Sequence, residues 1–192
     1  MANQDIRFAS FNVSLNRSES GELTTDLSTP DNKQAQNVAE IIQRNNPDIV
    51  LLNEFDYDSE GEGIKLFQEN YLGISQNEVD PVEYPYVYYA PSNTGIATGL
   101  DLDNDGVSDG AGDAFGFGFY PGQFGMVLLS KYPIVEENVR TFQNFLWQDM
   151  PSALLPDDPT TPEPNDFYSE EELEILRWQG DREAKKRIVS SS

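Results

Sequence analysis

The stretch NPDIVLLNEFD, residues 46–56, decides how this chain is read. Four aliphatic residues in a row, Ile49 to Leu52, predict a strand buried on both faces. Asn53 and Glu54 then follow with no turn residue to carry them away, so a core strand runs straight into a carboxylate. Upstream, TPDNKQAQNVAEIIQRN (29–45) predicts a helix. Thr29 is its candidate N-cap, Pro30 its first residue, and Ala35, Val38, Ala39 and Ile42 its apolar face. Pro47 stops it. Further upstream, IRFASFNVSL (6–15) alternates as a strand and carries Asn12 near its end, and residues 16–31 read as a polar loop. Strand, helix and buried strand form a βαβ-like unit.

Ligand sites in α/β sheets lie outside the carboxyl ends of strands. Two such ends side by side would bring Asn12 and Glu54 together. A carboxylate is a hard ligand suited to Mg²⁺ or Mn²⁺, and an amide can orient a phosphate oxygen. The same pattern also fits a turn beginning at Asn12 and a solvated strand end at Glu54.

Composition narrows the chemistry. The 192 residues suit one domain, and 38% hydrophobic and 11% aromatic content can build a core. The formal net charge is −22. A surface this acidic repels long nucleic acids and attracts divalent cations, although a local groove or bound metal can override it. The chain has no Cys and no His. Disulfides, zinc–thiolate sites, cysteine nucleophiles, histidine bases and histidine ligands are therefore excluded. No apolar run reaches signal-peptide or membrane-span length. The acidic surface and the lack of Cys leave the compartment open while pointing toward a secreted or periplasmic setting.

Downstream, residues 62–72 predict a short helix with Ile64, Phe67 and Leu72 inward, and YPYVYYAP (84–91) an aromatic strand. Residues 92–118 form a Gly- and Asp-rich insertion. QFGMVLLSKYPIV (123–135) predicts two short strands around a turn, and NVRTFQNFLW (138–147) another strand. The Pro-rich segment 154–166 reads as a loop. The segment 168–187 starts as a helix with a Ser169/Glu172 capping box, and Leu173, Leu176 and Ile175 form its stripe.

Three blocks, IRFASFNVS, NPDIVLLNEF and FGMVLLSKYPI, together resemble the N-terminal half of the endonuclease/exonuclease/phosphatase superfamily, the deoxyribonuclease I-like fold. The resemblance spans residues 6 to about 135. It implies an α/β (α+β) architecture, the N-terminal part of a four-layer α/β-β/α sandwich of two packed mixed sheets. It implies a metal-dependent phosphoesterase that hydrolyses phosphate esters by metal-assisted in-line attack of water. Asn12 carries over as the active-site Asn and Glu54 as the catalytic Mg²⁺ (or Mn²⁺) ligand. Asn53 stands where the family usually has Gln, and Gly125, Ser130 and Pro133 match the third, structural block. The family's catalytic His–Asp pair, its GDFN-like pair and its terminal DH are missing from this chain. The expectation is therefore a single incomplete domain over 1–192. It would lack its C-terminal catalytic half, be inactive alone and leave exposed the sheet face that half would cover. Substrates in the family run from nucleic acids to lipid head groups and small phosphodiesters.

The insertion contains DLDNDGVSDGAGD (101–113). Asp101, Asp103 and Asp105 alternate, Gly106 follows, and Asp109 and Asp113 come later. This D-x-D-x-D-G opening is how a Ca²⁺ loop starts, but position 12 is Gly112, so it is not an EF-hand. Carboxylates this close repel unless a cation neutralises them, which predicts a structural Ca²⁺ site. A flexible acidic loop is the alternative. Arg140 is a candidate phosphate contact. The competing function is a non-catalytic calcium-binding structural or interaction module.

Overall fold

The structure is a computed structural model that describes residues 5–145, 149–153 and 168–177. It is a mixed α/β fold on one four-stranded sheet. The strands are β1 (Phe8–Leu15), β2 (Ile49–Phe55), β3 (Tyr86–Tyr89) and β4 (Met126–Ser130), in spatial order β1-β2-β4-β3. The pair β1 and β2 is parallel, and β4 runs antiparallel to both β2 and β3. The expected second sheet is not among the described residues.

The parallel pair needs a crossover. It is supplied by α1 (Glu22–Leu27) and α2 (Lys33–Asn45). The sequence reading missed α1 inside the polar stretch. Six residues with two central threonines have little helical propensity, and the helix survives because Leu23 and Leu27 are buried on one face. In α2 the face formed by Ala35, Val38, Ala39 and Ile42 is buried, as its spacing predicts. Its cap is not Thr29. The Asn32 side chain accepts from the Ala35 N–H at 3.0 Å, whereas the Thr29 hydroxyl turns to Asp31. Asn46, in the left-handed region with φ 44°, closes the helix before Pro47.

The sheet has two unlike faces, because side chains alternate along each strand. One row aligns Ala9, Val50, Leu129 and Val87, and the next aligns Phe11, Leu52, Val127 and Tyr89. Both belong to the core, together with α2, α3 (Glu62–Phe67) and the π-helical turn Gln68–Leu72 that continues α3. Ile64, Phe67 and Leu72 point inward as expected, and Tyr71 joins them. The Tyr71 hydroxyl donates to Thr29 O at 2.5 Å, which fixes the approach to α2. Buried Gln43 donates to Leu72 O at 2.9 Å and Ile74 O at 2.8 Å, which satisfies carbonyls at the end of the π turn and just past it. The opposite sheet face is open: Phe8 is 70% and Met126 50% exposed, with Leu51, Leu128 and Tyr88 only partly covered.

Two strand expectations are corrected. Only β4 forms within 123–135. It ends where the Ser130 hydroxyl accepts from Tyr132 N at 3.0 Å and donates to Tyr132 O at 2.8 Å, and Pro133 cannot donate to a ladder. Residues 138–145 form no strand; a 3₁₀ turn at Glu136–Asn138 leads into loop. Last, α4 (Glu170–Arg177) opens with the predicted capping box. Ser169 N donates to Glu172 at 2.5 Å and Glu172 N to the Ser169 hydroxyl at 3.3 Å, and Leu173 is buried. The Pro-rich segment 154–166 and the continuation of this helix past 177 lie outside the described residues.

The cap assignment is testable. Asn32→Ala lowers unfolding free energy by about 1 kcal/mol in urea titration, and Thr29→Ala by clearly less. Equal losses would return the cap to Thr29.

Candidate functional site

Strict alternation along β2 would place Glu54 on the core face with Leu52 and turn Phe55 outward. The structure does the reverse. Phe55 is fully buried, and Glu54 lies on the side of Asn12. A register shift makes this possible. Asn12 pairs with Asn53 and Leu15 with Phe55, so Val13 and Ser14 oppose Glu54 alone. Ser14 and Glu54 both take left-handed backbone, at φ 50° and 57°. Such a bulge re-aims a side chain and stores strain of order 1–3 kcal/mol in a non-glycine residue. The strand keeps its hydrophobic anchor and swings the carboxylate out.

The carboxylate is then held at both oxygens. Asn12 Nδ2 donates to Oε1 at 2.8 Å and Asn16 Nδ2 to Oε2 at 3.1 Å. The orientation of the Asn12 amide is fixed, because its Oδ1 accepts from Ser14 N at 3.1 Å. Asn53 lies beside the site and donates to the Ser10 hydroxyl at 3.1 Å. Among the described residues Glu54 has no ion-pair partner. Its neighbours orient the carboxylate without supplying an opposite charge, and a carboxylate is a hard oxygen ligand of the kind that fits Mg²⁺ or Mn²⁺.

Two residues further on, Asp56 is 7% exposed and ties three segments together. Its oxygens accept from Arg17 N at 2.6 Å, the Tyr120 hydroxyl at 2.7 Å and Phe124 N at 3.0 Å. Burial pushes the Asp56 carboxyl above its usual range, against the opposing pull of these donors. Gln123 is buried beside it and donates to Arg17 O at 2.7 Å. Gly125 lies so close that an added Cβ would stand 2.7 Å from Phe55 O, which gives the matched glycine a packing reason. A cleft of about 370 Å³ opens next to this latch, lined by Ser20, Leu23, Thr24, Tyr57, Asp58 and Tyr120 among others.

The acidic insertion is ordered around different contacts. Asp101, Asp103 and Asp105 place carboxylate oxygens within 4.8 Å of one another and could hold a metal ion. Asp101 accepts from Asp105 N at 3.0 Å and Gly106 N at 2.9 Å, and Gly106 turns the chain at φ 95°. Asp113 is fully buried, with Leu102 N at 2.7 Å on one oxygen and Gly110 N at 2.9 Å on the other. It organises the loop from beneath. Asp109 is exposed and outside the group of three. The Asp103 carboxyl is raised by desolvation first, then by the charges of Asp105, Asp113 and Asp101.

Arg140 is exposed in the loop after the 3₁₀ turn, and among the described residues no hydrogen bond or ion pair joins it to Asn12, Asn16 or Glu54. Sequence reading missed Asn16 and Asp56. Asn16 sits in a polar run that reads as loop, and Asp56 belongs to no local motif that would single it out.

Fold and site together define an α/β protein whose oxygen-rich centre lies at the carboxyl ends of adjacent strands. The chain belongs to the Endonuclease/Exonuclease/phosphatase family, which it matches over residues 9–191. Its members are generally phosphoesterase- and nuclease-type hydrolases and commonly use divalent metals. No match was found among curated proteins or among solved structures.

The latch gives a prediction. Asp56→Asn puts an NH₂ against N–H and O–H donors and destabilises the fold by about 1–3 kcal/mol. The native carboxyl, raised by burial, keeps its proton in the folded state where the unfolded chain has lost it. Its contribution therefore falls as pH rises from about 3.8 through the folded value. The variant lacks that part of the pH profile, which thermal melts between pH 3 and 7 would show.

Proposed function

We propose that this domain belongs to a metal-dependent phosphoesterase and that Glu54, with Asn12, forms its catalytic metal end. The observation that carries the reading is the Glu54 carboxylate, turned out of a buried strand by left-handed backbone and held at both oxygens by uncharged amides. Family membership supports the reaction class. In this reading Glu54 holds Mg²⁺ or Mn²⁺, which supplies positive charge to a phosphoryl group when bound. Asn12 holds Glu54 in place and lies where it can donate to a phosphate oxygen. The bulge keeps both groups in position before substrate arrives, which is where electrostatic catalysis gains most. In-line attack of water on phosphorus then breaks the ester P–O bond opposite it, and the released ester oxygen takes up a proton as the water loses one.

The chain has no His, so in this reading the base that takes the proton from that water lies in the half outside these residues. The domain is incomplete in this reading, and its second catalytic half packs on the open sheet face that carries Phe8, Leu51, Leu128 and Met126. Arg140 is retained as a candidate phosphate contact. The charge of −22 favours compact phosphate esters over long nucleic acids and supports a secreted or periplasmic setting.

A second reading, a non-catalytic calcium-binding module, rests on the Asp101, Asp103 and Asp105 group. A calcium site there is compatible with either reading, since it would order the insertion whether or not Glu54 serves catalysis; hydrolysis that depends on Glu54 decides between them.

In the full-length protein, Glu54→Ala lowers Mg²⁺-dependent hydrolysis of phosphodiester and phosphomonoester substrates by at least about 100-fold, on the scale of losing one preorganised electrostatic group. Undiminished hydrolysis would remove the proposal. Independently, Ca²⁺ raises the melting temperature through the loop. At a hundredfold excess over Kd the gain is about 2.7 kcal/mol, and it disappears in Asp101→Asn/Asp103→Asn.

A further inference from the structure

The contacts of Asn16 reach beyond the pair that the sequence singles out. Its amide nitrogen is 3.1 Å from Glu54 Oε2, the oxygen Asn12 does not touch. One donor on one oxygen would leave a carboxylate free to rotate about its side-chain torsion. Two donors on different oxygens fix its plane. A carboxylate oxygen has two acceptor directions. One hydrogen bond to each therefore leaves a second direction on each oxygen for a cation.

The donor type matters as much as the geometry. A Lys or Arg at position 16 would cancel the charge that draws a divalent ion. An amide orients the carboxylate and leaves its full charge in place. The nearest arginine is already committed: Arg17 Nε pairs with Asp26 at 2.7 Å, and another guanidinium nitrogen donates to Asn16 O at 2.8 Å. Arg17 thus holds the Asn16 backbone, while its own N–H donates to Asp56 at 2.6 Å. The segment carrying Asn16 is clamped from two sides, by Asp26 through the guanidinium and by Asp56 through the backbone. No other described contact of Asn16 uses its amide side chain.

We propose that Asn16 is a positioning residue for the cation site on Glu54, holding Oε2 while Asn12 holds Oε1. The inference rests on the reading of Glu54 as the ion-binding carboxylate. Hydrogen-bonded partners of metal ligands contribute roughly 10–100-fold in metal affinity, and that sets the expected effect.

The test is calorimetric titration with MnCl₂ alone, on the whole chain in an Asp101→Asn/Asp103→Asn background so that the acidic loop does not contribute. Asn16→Ala weakens Mn²⁺ binding about 10–100-fold, while its metal-free melting temperature stays close to that of the background protein. Asn16→Gln, which keeps the amide on a longer stem, recovers part of the affinity. Should the Ala variant fail to fold, Asn16→Ser is titrated in its place. Affinity unchanged in Asn16→Ala, with Glu54→Gln abolishing binding, overturns the role of Asn16 alone. Affinity unchanged in Glu54→Gln overturns the ion-binding reading and this inference with it. A lower melting temperature with no change in affinity assigns Asn16 to loop structure only and also overturns it.

Discussion

The arrangement at the carboxyl ends of β1 and β2 depends on a phase change in β2 between Leu52 and Phe55. A β-strand alternates by necessity, and a hydrophobic strand that ends in Glu-Phe must bury one of the two. Burying Glu54 would strand a charge among Leu52, Val127 and the α2 face. Burying Phe55 by ordinary alternation would displace Leu52. Left-handed backbone at Glu54, matched by Ser14 across the strand pair, lets both Leu52 and Phe55 face the core. The strain is local, and the burial of a large aromatic side chain, about 1.5–3 kcal/mol, is of the size needed to offset it.

That phase change would be fragile if the chain beyond it were loose. Asp56 prevents this by drawing in backbone from residue 17 and from residue 124, with the Tyr120 hydroxyl between them. The segment after β1, the end of β2 and the approach to β4 are thereby locked to one carboxylate. Asp56 carries a desolvation cost, visible in its raised carboxyl, and three donors compensate it. Two acids two residues apart thus have opposite tasks. Asp56 is surrounded by donors and buried, and it serves structure. Glu54 is oriented by two amides and only partly buried, with no ion-pair partner among the described residues.

The strong net negative charge has a comparable division. In the insertion, Asp113 is fully buried and spends both oxygens on backbone N–H groups, while Asp101, Asp103 and Asp105 crowd together above it. At the sheet end a single carboxylate is surrounded by Asn12, Asn16 and Asn53. Among the described residues the acidic loop brings three carboxylates together, where a cation can relieve their repulsion, whereas Glu54 is met by uncharged amides.

The sequence by itself determined the α/β class, the parallel β1/β2 pair with α2 between its strands, the apolar face of α2, the inward set on the helix after residue 62, the capping box of α4 and the presence of a carboxylate at the end of a core strand. Each of these follows from a local period or a short motif. It also carried the three blocks that pointed to the family. Only the tertiary structure decided where that carboxylate points, which residues hold it, where α2 is capped, and that α1 exists at all. The reason is the separation of the groups involved. Asn16 and Glu54 are 38 residues apart and Asp56 and Phe124 are 68 apart, and no local pattern encodes such pairings. Nor does a glutamate announce a left-handed backbone. That conformation is imposed by the demand of Leu52 and Phe55 to share one core face, a demand that exists only once the sheet has formed.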